Sequence, residues 1–120
     1  MTMKLIPFEA DNVVAIQTEG RIASQDYDLV LADVQDKLQR HSKLRIYVEM
    51  ATFTGISAEA FFKDLKFGLG HMDRFDREAV VTDKAWMQRF ASAADKLFPG
   101  IDIKVFASQD KDVARDWVVA

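Results

Sequence analysis

Apolar and polar residues alternate with two different periods along the chain, and the two periods predict strands and helices. Short apolar runs at 4–8 and 13–19 flank a polar turn at 9–12, which predicts a β-hairpin. Because Pro7 cannot donate to a strand ladder, the first of these strands is expected at a sheet edge. Three further strands are predicted at 44–49, 78–82 and 101–106.

From Ser24 onward the apolar residues recur every three or four positions, which predicts an amphipathic helix. The predicted buried stripe of this helix is Tyr27, Val30, Leu31, Val34 and Leu38. Three more helices are predicted to begin at Ser57, Asp83 and Ser108. The last of them is expected to bury Val113, Ala114 and Trp117.

The predicted order of elements is β, β, α, β, α, β, α, β, α, which is typical of an α/β fold. Strands that alternate with helices imply right-handed crossovers and a largely parallel sheet covered by helices. We therefore expect one domain over residues 1–120. It has a mixed, mostly parallel five-stranded sheet with an N-terminal β-hairpin and four helices.

Composition narrows the functional classes. The chain has 16 Lys and Arg against 19 Asp and Glu, a formal charge of −3, so net charge alone attracts no nucleic acid. It has no Cys, which excludes disulfides, thiolate metal sites and a Cys nucleophile. No apolar run approaches the 18 or so residues that span a bilayer, and no signal peptide is evident. We expect no integral membrane segment and a cytoplasmic protein.

The polar residues suggest no catalytic chemistry. His41 and His71 are thirty positions apart, without the spacing of a metal site, so neither a metal nor a cofactor is predicted. The charged run from Lys63 to Glu78 has balanced signs, which is typical of a solvated face and disfavours nucleic-acid binding. No nucleophile and base pair can be assembled, so we predict no catalytic residue and no enzyme activity.

The carboxyl ends of the predicted parallel strands are the expected binding edge, because ligands of open α/β sheets collect there. Loops 50–56, 82–83 and 107–108 meet at this edge. The candidate ligand-binding residues are Met50, Phe53, Thr54, Thr82, Asp83 and Trp86. Apolar groups beside a few polar ones predict a pocket for a small apolar or amphipathic ligand, such as a lipid, or for a segment of a protein partner. Alternatively, Phe53 covers the core and Asp83 caps a helix.

The stretch from Arg77 to Trp86, REAVVTDKAW, has a short strand followed by an aspartate and a tryptophan. This pattern and the order of elements resemble the SpoIIAA-like superfamily, in particular its small bacterial proteins of unassigned function. That superfamily contains the STAS domains and is more loosely similar to CRAL-TRIO domains. The last strand at 101–106, with Ala114 and Trp117, fits the same resemblance, which covers nearly the whole chain.

The resemblance implies a SpoIIAA-like fold and no cofactor, and it suggests a second functional hypothesis. STAS antagonists carry a phosphorylated serine at the head of the second helix, and Ser57 lies near the matching place, without the flanking Asp and Gly. A phosphate at a helix N-terminus is electrostatically favoured, although Ser57 is equally suited to be a plain N-cap. The alternative function is therefore a regulatory protein-interaction module switched at Ser57. A second copy of the chain, in a homodimer, is another candidate partner.

Overall fold

The computed structural model describes four segments of the chain, residues 2–19, 24–50, 72–82 and 100–120. The strands are β1 (Thr2–Leu5), β2 (Val13–Glu19), β3 (Leu44–Met50), β4 (Phe75–Val81) and β5 (Asp102–Phe106). The helices are α1 (Ser24–Leu38) and α2 (Lys111–Val119). Short 3₁₀ turns at Met72–Arg74 and Ser108–Asp110 precede β4 and α2.

The described strands form one sheet in the order β1-β2-β3-β4-β5. β1 pairs antiparallel with β2, and the other three pairings are parallel. This confirms the predicted mixed sheet, the hairpin and the edge position of the first strand. Two of the four predicted helices correspond to α1 and α2, whereas the helices predicted from Ser57 and Asp83 lie outside the described residues. The single domain over 1–120 stays a prediction.

Each face of the sheet buries its own apolar cluster, because successive side chains of a strand point to opposite faces. On the face covered by α1, here called the α1 face, Val30 and Val34 pack against strand residues that include Ile16 and Ile46. On the α2 face, Ala114 and Val118 pack against the other side of the same strands. The strand residues of that second cluster are Val13, Ala15, Tyr47, Ala79 and Val81.

Two arginines of the sheet fix the direction of α2. Arg45 Nη1 donates to the carbonyl of Val118 at 2.8 Å, and Arg77 Nη1 donates to that of Trp117 at 2.9 Å. These cations satisfy carbonyls at the helix C-terminus, where the helix dipole favours positive charge. A nine-residue helix is about 13 Å long, which is about the distance from Arg45 to Glu49 along β3. The N-terminus of α2 therefore lies toward the carboxyl edge of the sheet.

The structure corrects two predicted strand boundaries. β1 ends at Leu5 instead of continuing to residue 8, and β4 begins at Phe75, three residues before the predicted start at Glu78. The polar residues Asp76 and Arg77 interrupt the apolar run of β4, so a prediction from apolar runs places the start of the strand too late. Both of them are half-buried and paired through hydrogen bonds to other elements.

Of the three residues predicted to face inward on the last helix, one was wrong. Val113 is 57% exposed, whereas Ala114 and Val118 are fully buried and Trp117 is partly buried. Ala114 and Val118 are four residues apart, which places them on one side of a helix. Val113 is adjacent to Ala114 in sequence, and adjacent residues of a helix point in different directions, so Val113 lies off the buried side.

Candidate functional site

Three neighbouring residues form a row across the carboxyl edge of the sheet on the α2 face. The parallel registers pair Gln17 of β2 with Glu49 of β3, and Glu49 with Val81 of β4. The row directly behind it holds Ala15, Tyr47 and Ala79, paired in the same way. Tyr47 is thus flanked by two small residues, which leave room for its ring under α2.

A cleft of about 190 Å³ opens between this row and the start of α2. Its lining residues are Gln17, Glu49, Met50, Val81, Ser108 and Lys111. Val81 is only 3% exposed and belongs to the α2-face cluster, so it forms an apolar base, whereas Met50 lines the cleft with its side chain packed in the α1-face cluster. Lys111, the first residue of α2, is exposed at the opening. The cleft therefore joins an apolar base to polar and charged walls.

The carboxylate of Glu49 is held in place by hydrogen bonds to both of its oxygens. The Tyr47 hydroxyl donates to Oε2 at 2.7 Å, and Gln17 Nε2 donates to Oε1 at 3.2 Å. Burial raises the pKa of Tyr47, and the bond to Glu49 raises it further, so the phenol keeps its proton and remains a donor. Glu49 is consequently fixed in one orientation at the cleft.

The hairpin between β1 and β2 is fastened to α2 beside this network. The Arg115 guanidinium lies 4.3 Å from the centre of the Phe8 ring, and the Phe8 and Tyr47 ring centres are 5.0 Å apart. Arg115 Nη2 also donates to the carbonyl of Pro7 at 3.2 Å and to Glu9 Oε1 at 3.0 Å. The stack of cation and rings packs the hairpin loop against the same tyrosine that orients Glu49.

Of the predicted ligand-binding residues, Met50 lines the cleft and Thr82 lies at the same edge. Thr82 is buried, and its backbone N–H donates to the carbonyl of Phe106 at 2.9 Å. It follows Val81, the last residue of β4, and is not among the residues that line the cleft. The remaining candidates and the candidate phosphoacceptor lie outside the described residues: Phe53, Thr54, Ser57, Asp83 and Trp86.

Sequence reasoning missed the residues that give the cleft its polar character. Gln17 and Glu49 lie in predicted strands, whereas the predicted ligand contacts lie at the ends of strands and in the loops that follow them. The available signal was a polar residue near the carboxyl end of two successive, mostly apolar strands. Such residues belong either to a solvated face or to a site, and only the position of α2 above them distinguishes the two.

Glu78 contradicts the prediction of a solvated charged face from Lys63 to Glu78. Its side chain is fully buried on the α1 face between its cross-strand neighbours Ile46 and Ile103, and neither carboxylate oxygen has a hydrogen-bond partner. Burial raises the pKa of Glu78 to about 8, because an unpaired charge is unfavourable away from water. Asp73, from the same run, is exposed as predicted.

The described part of the chain has no group of three or more His, Asp or Glu residues that could hold a metal ion. Within the same ranges, no helix combines the length and apolar character needed to cross a bilayer. What the cleft offers chemically is one fixed carboxylate, one ammonium group and an apolar base, which is a set of groups suited to binding.

Comparisons with known proteins agree with the order of elements. Residues 13–119 match the family described as SpoIIAA-like, which is nearly the whole length of the chain. No curated protein and no solved structure gives a significant match.

Proposed function

Since the chain belongs to the SpoIIAA-like family, we propose that it is a non-catalytic binding module whose ligand or partner segment occupies the cleft at the carboxyl edge of the sheet. The observation that carries the proposal is the cleft itself, formed where the ends of β2, β3 and β4 meet the start of α2. Ligands of open α/β sheets collect at this edge.

The lining favours an amphipathic occupant over a wholly apolar one. Val81 supplies apolar contact, while Gln17, Glu49 and Lys111 supply hydrogen-bonding groups. Pockets that enclose drug-sized molecules have volumes of about 300–1,000 Å³. At about 190 Å³ the cleft is smaller, so it suits a small metabolite or a single side chain of a partner better than a whole lipid.

A pair of adjacent substitutions at exposed positions tests the proposal. Ser108→Arg places a long side chain at the cleft lining, whereas Gln109→Arg adds the same side chain to the neighbouring exposed position outside the lining. We expect native mass spectrometry of protein from its own host to show a bound small molecule on wild type and on Gln109→Arg. Ser108→Arg should be without it.

Two results contradict the proposal. One is a bound mass that Ser108→Arg retains at the wild-type level. The other is a bare wild-type protein whose backbone amide signals at Gln17, Glu49 and Val81 do not shift when a metabolite extract of the host is added. Thermal unfolding of both variants confirms that they are folded.

Phosphorylation at Ser57 is the alternative regulatory hypothesis, and it stays a prediction. Peptide mass spectrometry of wild type and Ser57→Ala from host cells tests it, and an unmodified residue 57 under all growth conditions contradicts it. The cytoplasmic location and the homodimer also stay predictions. Fractionation of host cells and sedimentation of the purified chain are the corresponding measurements.

A further inference from the structure

The cleft contains two opposite charges that do not neutralise each other. Glu49 and Lys111 both line it, yet the ion pairs of the described residues include none between them. The Lys111 side chain likewise has no hydrogen bond within the described ranges. Both charges are therefore available to an occupant of the cleft.

The Glu49 carboxylate has acceptor capacity left over. Each carboxylate oxygen carries two lone pairs, and each oxygen accepts one hydrogen bond within the protein, from Tyr47 or from Gln17. One further donor can approach each oxygen. Because the carboxylate is already oriented, a ligand ammonium group would bind it without having to order a mobile side chain.

Lys111 supplies the complementary charge. Its ammonium group offers three donors and no acceptor, so it is suited to a carboxylate. It is also the first residue of α2, where the helix dipole disfavours a positive charge. A carboxylate that pairs with Lys111 would also lie near the N-terminus of α2, where the helix dipole favours negative charge.

We infer that the cleft binds a small zwitterion, a molecule with an amine at one end, a carboxylate at the other and a short apolar link between them. The amine donates to Glu49, the carboxylate accepts from Lys111, and the link lies on Val81. This inference rests on the proposed function, because it names the ligand class of the same cleft. The small volume of the cleft favours a molecule of metabolite size.

A series of linear ω-amino acids, from β-alanine to 6-aminohexanoate, tests the inference on the full chain. Affinity is measured by titration calorimetry and by the amide shifts of Gln17, Glu49 and Val81. We expect one chain length to bind best. That member should bind about tenfold more tightly than the alkylamine and the alkanoate of the same length, because each of these lacks one charged contact.

Two charge-removing variants test which residue binds the amine of the ligand and which binds its carboxylate. Glu49→Gln keeps the shape of the side chain, and Lys111→Gln changes only an exposed residue, so at least the second variant should fold normally. Each is expected to weaken the best ω-amino acid about tenfold and to leave one monofunctional analogue unaffected. The analogue is the alkanoate for Glu49→Gln and the alkylamine for Lys111→Gln. Lys43→Gln removes a positive charge at the amino edge of the sheet and should bind as wild type does.

The outcomes separate this inference from the proposed function. If no ω-amino acid binds while Ser108→Arg still removes a host-derived ligand, the zwitterion is wrong and the binding module stands. If affinity depends on one charged end alone, the inference fails as well. If the zwitterion binds and both glutamine variants leave its affinity unchanged, the assignment of the two ends is overturned.

Discussion

Glu49 and Glu78 lie on adjacent strands and opposite faces of the sheet, and their side chains differ in burial and in hydrogen-bond partners. Glu49 accepts hydrogen bonds from Tyr47 and Gln17 on the α2 face. Glu78 is fully buried on the α1 face with neither oxygen bonded. The two carboxyl groups differ in burial as well as in partners, because Glu49 is half-buried at the cleft whereas Glu78 is fully enclosed. The α2 face provides donors, whereas Ile46 and Ile103 beside Glu78 provide none.

The largest expected effect is on the pH dependence of stability through Glu78. Its pKa is raised from the ordinary value of 4.5 to about 8, so between these values the folded chain keeps a proton that the unfolded chain releases. Stability is therefore highest below pH 4.5 with respect to this group, and it falls by about 1.4 kcal/mol per pH unit up to about pH 8. Urea unfolding of wild type at pH 5 and pH 8 measures the fall.

Glu78→Gln should abolish most of this slope, because the amide does not ionise. Glu78→Met should also be more stable than wild type at pH 8, since it removes an unpartnered polar group and keeps a similar volume. Asp116→Asn, an exposed carboxylate on α2, serves as the control and should retain the wild-type slope. A wild-type slope in Glu78→Gln would show that another group carries the pH dependence.

The next largest expected effect is the loss of stability when the hydrogen bond between Tyr47 and Glu49 is removed. Tyr47→Phe removes the donor to Glu49 while keeping the ring between Ala15 and Ala79, and we expect a loss of about 1.5–3 kcal/mol in the free energy of unfolding. A double-mutant cycle with Glu49→Gln isolates the contribution of the pair. A coupling energy near zero would mean that the hydroxyl stabilises the fold by some other contact.

A smaller effect is expected at the stack that fastens the hairpin. Arg115→Lys keeps the charge but loses the planar group that lies over Phe8 and donates to Pro7, at a cost of about 1 kcal/mol. The loss should be local. Amide hydrogen exchange at Ile6 and Val13, whose N–H groups bond within the hairpin, should accelerate, whereas exchange in α1 should not. Equal acceleration throughout the chain would contradict a local role.

The smallest expected effect is on the pH dependence of stability through Asp11, an exposed carboxylate that accepts hydrogen bonds from two side chains. Hydrogen bonds from Arg40 and His41 lower the pKa of Asp11 to about 2, the opposite of the shift at Glu78. Its stabilising contribution is complete above the ordinary value of 3.8 and is lost as the pH falls through 2. An NMR titration of the Asp11 carboxyl should give the low midpoint, and Arg40→Gln should move it toward 3.8. An unchanged midpoint in that variant would assign the shift to His41.

Much of the fold follows from periodicity in the sequence. The strand β2 has the predicted bounds, because turn residues precede it, and the helix α1 begins at the predicted Ser24, because its three- and four-residue period is clear. The start of β4 was missed because Asp76 and Arg77 break the apolar run, although tertiary hydrogen bonds hold both in the sheet. Local pattern carries no information about such distant partners.

The candidate site was predictable only in its location. The carboxyl edge and Met50 follow from the order of strands and from general rules for α/β sheets. Glu49 and Glu78 have similar local surroundings, since each is an acidic residue in a predicted strand. Their different environments depend on which face meets α2 and which meets α1. That information lies in the packing of the helices, so periodicity alone could not identify either residue.

The two arginines that bind the end of α2 limit how far the chain can fold while it is still being synthesised. Arg45 and Arg77 find their carbonyl partners 73 and 40 residues later. A nascent chain that has emerged only through β5 already contains every strand of the described sheet, yet it lacks α2, and these guanidinium groups lack those acceptors. Completion of that face, and with it the cleft, must therefore wait until the residues of α2 have left the ribosome.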